Sequence, residues 1–273
     1  MTGARVPRAV LAGLVLLAFL AAATTSCGDG APSEEIVLVG TVLGEQELRP
    51  VDDPTSWAPQ ERTLTGLRMV AHVEKGTYRL HTLGGDRTFL PGVNLGSTTP
   101  GHQPGELALS AADYRRWFPL MARVGFRVLR VYTIHPPAFY TELARFNREN
   151  PETPLYLVHG VYLPDESYVT KGLYDRGVTE SFTAELRDAV AAVHGDLTRP
   201  PRPGRASGTW ETSVAPWVAG WIIGTELDPW AVRSTDLGRS GAPDHRGTYF
   251  TSAPQSTPTE RWLAARLDEL ATA

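Results

Sequence analysis

The chain has 273 residues, with 26 basic against 30 acidic side chains and a net charge of −4. That length can bury a sizeable core, and 42% hydrophobic residues exclude a wholly disordered chain. The mildly acidic balance gives no electrostatic reason for nucleic-acid binding, and a single Cys excludes an internal disulfide framework.

Residues 1–26 read as an export signal rather than as fold. Arg5 and Arg8 form a basic start, and Ala9–Ala23 is an uncharged apolar run too short for a comfortable membrane span. Thr24, Thr25 and Ser26 then lead to Cys27. This segment resembles the bacterial lipoprotein signal, which implies cleavage before Cys27 and a lipid on its thiol, although Thr24 stands where that signal prefers an aliphatic residue. The competing reading is ordinary secretion. Either way the protein is expected outside the cytoplasm, at best anchored to the cell membrane and facing outward. Residues 27–35 are a short polar tether.

Residues 36–85 read as a small β-rich segment. Ile36–Val42 has the β-branched composition of a strand, and the Pro-containing stretch 50–59 is loop. The runs Leu67–Val73 and Thr77–Leu83 flank Lys75-Gly76 and predict a hairpin.

From residue 86 onward strand and helix patterns alternate. Phe89–Leu95 is a short apolar strand, and Ser110 caps a helix that carries Tyr114, Trp117, Phe118, Met121 and Val124 and stops at Gly125. Val128–Ile134 is the second strand, and Pro136-Pro137 opens a helix with Phe139, Leu143 and Phe146 on one face. Leu155–Leu163 is the third strand, Glu180–Val193 the third helix, and 198–213 a Pro-rich loop expected to be mobile. Val218–Thr225 is the fourth strand. Thr259–Leu270 closes the series as a helix, with Trp262, Leu263, Leu267 and Leu270 on its apolar face. Four strand–helix units call for an α/β fold with a parallel sheet, doubly wound or barrel-like. No G-x-G-x-x-G follows the first strand and no phosphate loop occurs, which favours the barrel.

In parallel barrels chemistry sits at the carboxyl ends of the strands. Those ends deliver Asn94, then Arg130 and Tyr132, then His159 and Tyr162, then Thr225, Glu226 and Asp228, with Trp230 just beyond. Aromatic rings beside carboxylates suit a sugar, whose C–H faces stack on rings and whose hydroxyls take hydrogen bonds. Bland alternatives stand beside each: Glu226 as an ion-pair partner of Arg130 or Arg233, His159 as a core or rim histidine, Trp221 as core and His135 as loop. The seven His show no paired metal spacing and no G-x-S-x-G occurs, so neither a metal site nor a serine nucleophile is expected, and no cofactor.

The order Gly92-Val-Asn94, Arg127-Val-Leu-Arg130-Val-Tyr132 and Gly220-Trp-Ile-Ile-Gly-Thr-Glu226 resembles the retaining glycoside hydrolases of the large (β/α)8 superfamily, over residues 89–230. The resemblance implies an incomplete (β/α)8 TIM barrel of about four βα units over 86–273, preceded by the small β segment. It makes Glu226 the general acid/base and Arg130 the arginine that supports the nucleophile. His159 occupies a position where that family often places a substrate-binding residue, and Asn94, Arg130, Tyr132, Thr225 and Trp230 are the other expected substrate-binding residues. Thr225 departs from the family's Asn before the acid/base. The family's nucleophile ends strand seven, which these four units do not include, whereas a retaining site needs two carboxylates about 5–5.5 Å apart. Asp165 and Glu166 are the nearest alternatives. A whole barrel takes about 250 residues, and 89–273 holds four units. The expectation is therefore a truncated hydrolase or transglycosidase-like chain acting on O-glycosidic bonds, with a carbohydrate, the membrane and a missing second half-barrel as partners. The competing expectation is a non-catalytic surface lipoprotein that binds carbohydrate or envelope. A transporter's solute-binding component would need two lobes, and the series supplies one.

Overall fold

The structure is a computed structural model and describes residues 55–164 and 166–273. The expected export signal, Cys27, the tether, the strand at 36–42 and Asp165 lie outside the described residues.

The first described elements are five short strands: β1 (Arg62–Leu64), β2 (Leu67–Met69), β3 (Ala71–Glu74), β4 (Thr77–Thr82) and β5 (Gly85–Arg87). Both Lys75 and Gly76 have positive φ (49° and 78°), the geometry of a two-residue hairpin turn, so β3 and β4 pair as expected. The expected strand over 67–73 is instead two strands. Thr65 and Gly66, also at positive φ (49° and 84°), turn β2 back onto β1, and the chain breaks at buried Val70 before β3 begins. β5 extends the hairpin into a three-stranded sheet ordered β3-β4-β5.

The main layer follows in chain order: β6 (Gly92–Asn94), α1 (Ala111–Arg123), β7 (Val128–Val131), α2 (Pro137–Glu149), β8 (Tyr156–Tyr162), α3 (Tyr168–Lys171), α4 (Arg176–His194), β9 (Leu197–Arg199), β10 (Gly208–Trp210), β11 (Val218–Thr225), α5 (Pro229–Gly238) and α6 (Pro258–Thr272). The strands β6, β7, β8 and β11 form one four-stranded parallel sheet in sequential order. Such an order winds the helices in one direction rather than reversing midway. Among the described residues β6 and β11 each keep one edge unpaired.

Local chemistry sets the helix ends. Ser110 and Asp113 form a reciprocal capping box on α1, and Gly125 at φ 93° follows its last turn. Asp175 caps α4, and Thr257 with Glu260 caps α6. The buried faces then meet the sheet. Tyr114 and Phe118 of α1, Phe139, Tyr140 and Leu143 of α2, and Phe182 and Leu186 of α4 pack with Leu129, Val131, Leu157 and Val161. α6 adds Trp262, stacked on Phe182 at 5.2 Å between ring centroids. A second, smaller core lies at the amino ends of the strands. There Trp57, Val70 and Leu80 meet Val128, Tyr156 and Ala219. Tyr78 Oη donates to the Ala219 carbonyl at 2.5 Å and Tyr156 Oη to the Trp57 carbonyl at 2.6 Å. Gly160 is required where β8 passes the end of β7, because a Cβ there would lie 2.4 Å from the Val131 carbonyl oxygen.

The largest departure from expectation is the stretch 198–213, which is not simply loop. β9 and β10 pair as an antiparallel hairpin, with Leu197 opposite Trp210. Arg199, at the end of β9, reaches Glu185 at 2.5 Å and Asp188 at 2.7 Å on α4. Trp210 is buried and donates its Nε1–H to the His135 carbonyl. Two further helices, α3 and α5, fall in segments that carry no long apolar period. His135, expected as loop chemistry, is a core residue, 1% exposed and 4.8 Å from the Phe139 ring.

Candidate functional site

The carboxyl ends of the parallel strands bring together three of the expected residues. Register places Asn94 of β6 beside Arg130 of β7, and Arg130 Nη1 donates to Asn94 Oδ1 at 3.3 Å. The Arg130 guanidinium lies 4.2 Å from the centroid of the Tyr132 ring, a cation–π contact. Arg130 meets no carboxylate among the described residues, so the alternative of a Glu226–Arg130 ion pair is not present there.

Glu226 follows β11 directly. The register between β11 and β8 slips between Ile223 and Thr225, and Gly224 has φ 66°. The chain therefore turns sharply, and Glu226 itself sits at φ 58° in the left-handed region. For a residue with a Cβ that conformation costs about 1–3 kcal/mol. Its side chain is exposed and makes no hydrogen bond or ion pair among the described residues. Asp228 is not a free second carboxylate: its Oδ1 accepts the Trp230 and Ala231 N–H groups at 2.8 and 2.9 Å and caps α5. Its own N–H donates to Tyr168 Oη at 2.8 Å.

Two clefts open on this edge. One, of about 500 Å³, is lined by Leu95, Ser97, Thr98, Tyr132, Thr133 and Glu226, with His135, Tyr162 and Gly204 among its other walls. The other, of about 650 Å³, is lined by Tyr162, Glu166, Tyr168, Val169, Glu226 and Leu227. Burial raises the Tyr162 phenol above its ordinary value, and the Glu166 and Glu226 carboxylates add to that, so its hydroxyl stays protonated. Thr98 Oγ1 is buried without a hydrogen-bond partner. His135 is bonded through Nδ1 to Tyr114 Oη at 3.1 Å. Burial, helped by nearby His159, pushes its pKa down to about 3, so the ring is neutral.

Three expected site residues lie elsewhere. His159 is 0% exposed and faces the helices, because the two-residue strand period puts it on the same side as Leu157 and Val161. Its Nδ1–H donates to the Gly160 carbonyl at 2.9 Å, and Nε2 pairs with Tyr140 Oη at 2.8 Å. Burial lowers its pKa to about 4. It is a satisfied core histidine. Thr225 is 3% exposed, with its hydroxyl donating to the Ile222 carbonyl at 3.4 Å, turned inward rather than toward the clefts. Trp230 is 73% exposed on the first turn of α5 and lines neither cleft.

Ser97, Thr98 and Thr133 went unnoticed as sequence features, although each lies within four residues past a strand end. Gly204 reaches the first cleft only because the β9–β10 hairpin folds over, which nothing local announces. Among the described residues no group of three His, Cys, Asp or Glu is arranged to hold a metal ion. No described helix is long and apolar enough to cross a membrane. No protein-family model, curated protein or solved structure matches the chain.

Proposed function

We propose that the strand-end clefts bind carbohydrate and that Glu226 is the general acid/base of a glycoside hydrolase or transglycosidase-like site. The observation that carries this reading is the placement of Glu226: a carboxylate with no hydrogen bond or ion pair among the described residues, set by a strained turn at the carboxyl edge of a parallel sheet, where it lines a cleft with Tyr132 and Tyr162. In this reading Glu226 protonates the leaving glycosidic oxygen and then takes a proton from water or an acceptor sugar. Tyr132 and Tyr162 offer aromatic surface to the clefts, while Asn94 and Arg130 line neither cleft and act on the site only through the Arg130 contact with the Tyr132 ring. A second carboxylate would come from four further strands that close the sheet into a (β/α)8 barrel, so a second half-barrel is the partner this reading implies. Cys27 anchors the protein by a lipid to the outer face of the cell membrane.

A second reading, binding without cleavage, is favoured by the inward-turned Thr225 hydroxyl and by the commitment of Asp228 to a helix cap. One experiment separates the two. Calorimetry with oligosaccharides is run beside a hydrolysis assay on the full chain and its Glu226→Gln variant. Cleavage lost by at least about 100-fold in the variant supports the acid/base role. Equal turnover in both removes it, and binding without turnover in either supports the second reading.

A further inference from the structure

The two clefts share a wall. Tyr162 at the end of β8 and Glu226 after β11 line both, so the Glu226 carboxylate stands where the 500 Å³ cleft meets the 650 Å³ cleft. Each volume falls within the range of about 300–1,000 Å³ of sites that enclose a whole small ligand. A single sugar in one cleft would leave the other side of Glu226 in water.

Each cleft also has its own polar equipment. The first is lined by Thr98 and Thr133, of which the half-exposed Thr133 puts a hydroxyl within reach of a ligand. The second offers Glu166, exposed and without a hydrogen bond or ion pair among the described residues, next to Tyr168 and Val169. Between them the Tyr162 ring and its protonated hydroxyl form a surface that can stack on one unit and donate to the next.

We propose that the ligand is an extended saccharide chain that crosses the Tyr162–Glu226 wall with units on both sides, so that Glu226 faces an internal linkage rather than a terminal sugar. This rests on the reading of Glu226 as a sugar-facing acid. It goes beyond that reading by naming the substrate class, an oligomer or polymer long enough to occupy both clefts.

The test is calorimetry on the full chain with gluco-, xylo- and manno-oligosaccharides, each from monosaccharide to hexasaccharide. In the series that binds, Kd is expected to fall by about tenfold or more between the monosaccharide and the tetrasaccharide, then level off. Thr133→Val weakens every length, whereas Glu166→Gln weakens only the longer members. Glu166 is exposed and Thr133→Val preserves shape, so both variants keep the fold, which circular dichroism checks. Equal affinity at every length overturns the two-sided chain while leaving the Glu226 reading intact. Absence of binding by every series, together with a Glu226→Gln variant indistinguishable from wild type, overturns both.

Discussion

At their amino ends the four parallel strands run into a second small core, where Trp57, Val70 and Leu80 pack on Val128, Tyr156 and Ala219. At their carboxyl ends they run out into two open clefts. At the amino end the phenols of Tyr78 and Tyr156 both donate to backbone carbonyls, and Arg62, Asp86, His81 and His72 form a chain of 2.8 Å contacts. Among the described residues the carboxyl end leaves the Glu226 and Glu166 carboxylates without a hydrogen bond or ion pair, and Glu226 sits in a strained backbone. One end of the sheet is closed by packing, and the other is open and holds a strained carboxylate.

The largest effect that could break this contrast is a core truncation at the amino end. Leu80 is 0% exposed between β4 and the sheet, so Leu80→Ala should cost about 2–5 kcal/mol in urea unfolding. Saccharide affinity of the folded fraction should be unchanged. A loss of affinity matching the loss of stability would mean that the two ends are not independent.

The second effect is an acid response. His135 floors the first cleft and His159 sits behind β8, both neutral in the fold with pKa values lowered to about 3 and about 4. In the unfolded chain each takes a proton near pH 6.5. Below that pH the unfolded state binds more protons, so stability is full above about 6.5 and falls as the pH drops toward 4 and then 3. The limiting slope is about 1.4 kcal/mol per pH unit for each ring. At the amino end the hydrogen bond from His81 holds the Asp86 carboxyl below its usual range. Its contribution is present above about pH 4 and is lost only as the pH falls further. Urea midpoints measured from pH 7.5 to 3.5 should therefore decline from about 6.5 downward. A flat profile between 7 and 4.5 would show that the two rings are not buried neutral.

Much of the fold was legible because its causes are local. Ser110, Asp113 and Gly125 bound α1, Pro137 starts α2, and Lys75-Gly76 makes the β3–β4 turn, each from residues a few positions apart. The β9–β10 hairpin was not, because it is held by distant groups: Arg199 on Glu185 and Asp188, and Trp210 on His135. The site divides in the same way. The strand-end rule puts Asn94, Arg130, Tyr132 and Glu226 at the carboxyl edge of the sheet, where the structure has them, although only Tyr132 and Glu226 line a cleft. The face of β8 that His159 occupies was readable from the alternation of Leu157 and Val161. The outward turn of Trp230 depends on where α5 packs, which no strand-end rule specifies.

The smallest effect is the sharpest test of whether strain at the carboxyl end serves a ligand. Asn tolerates the left-handed region better than Glu, because its short amide can bond its own backbone. Glu226→Asn should therefore raise unfolding free energy by about 0.5–1 kcal/mol, while weakening saccharide binding or turnover at least as far as Glu226→Gln does. The two variants remove the same carboxylate, but only Asn relieves the φ of 58°. A gain in stability for Asn and not for Gln would locate the strain in the backbone at position 226. Equal stability of wild type and both variants would mean that the turn after β11 stores no strain and that Glu226 is held there at no cost.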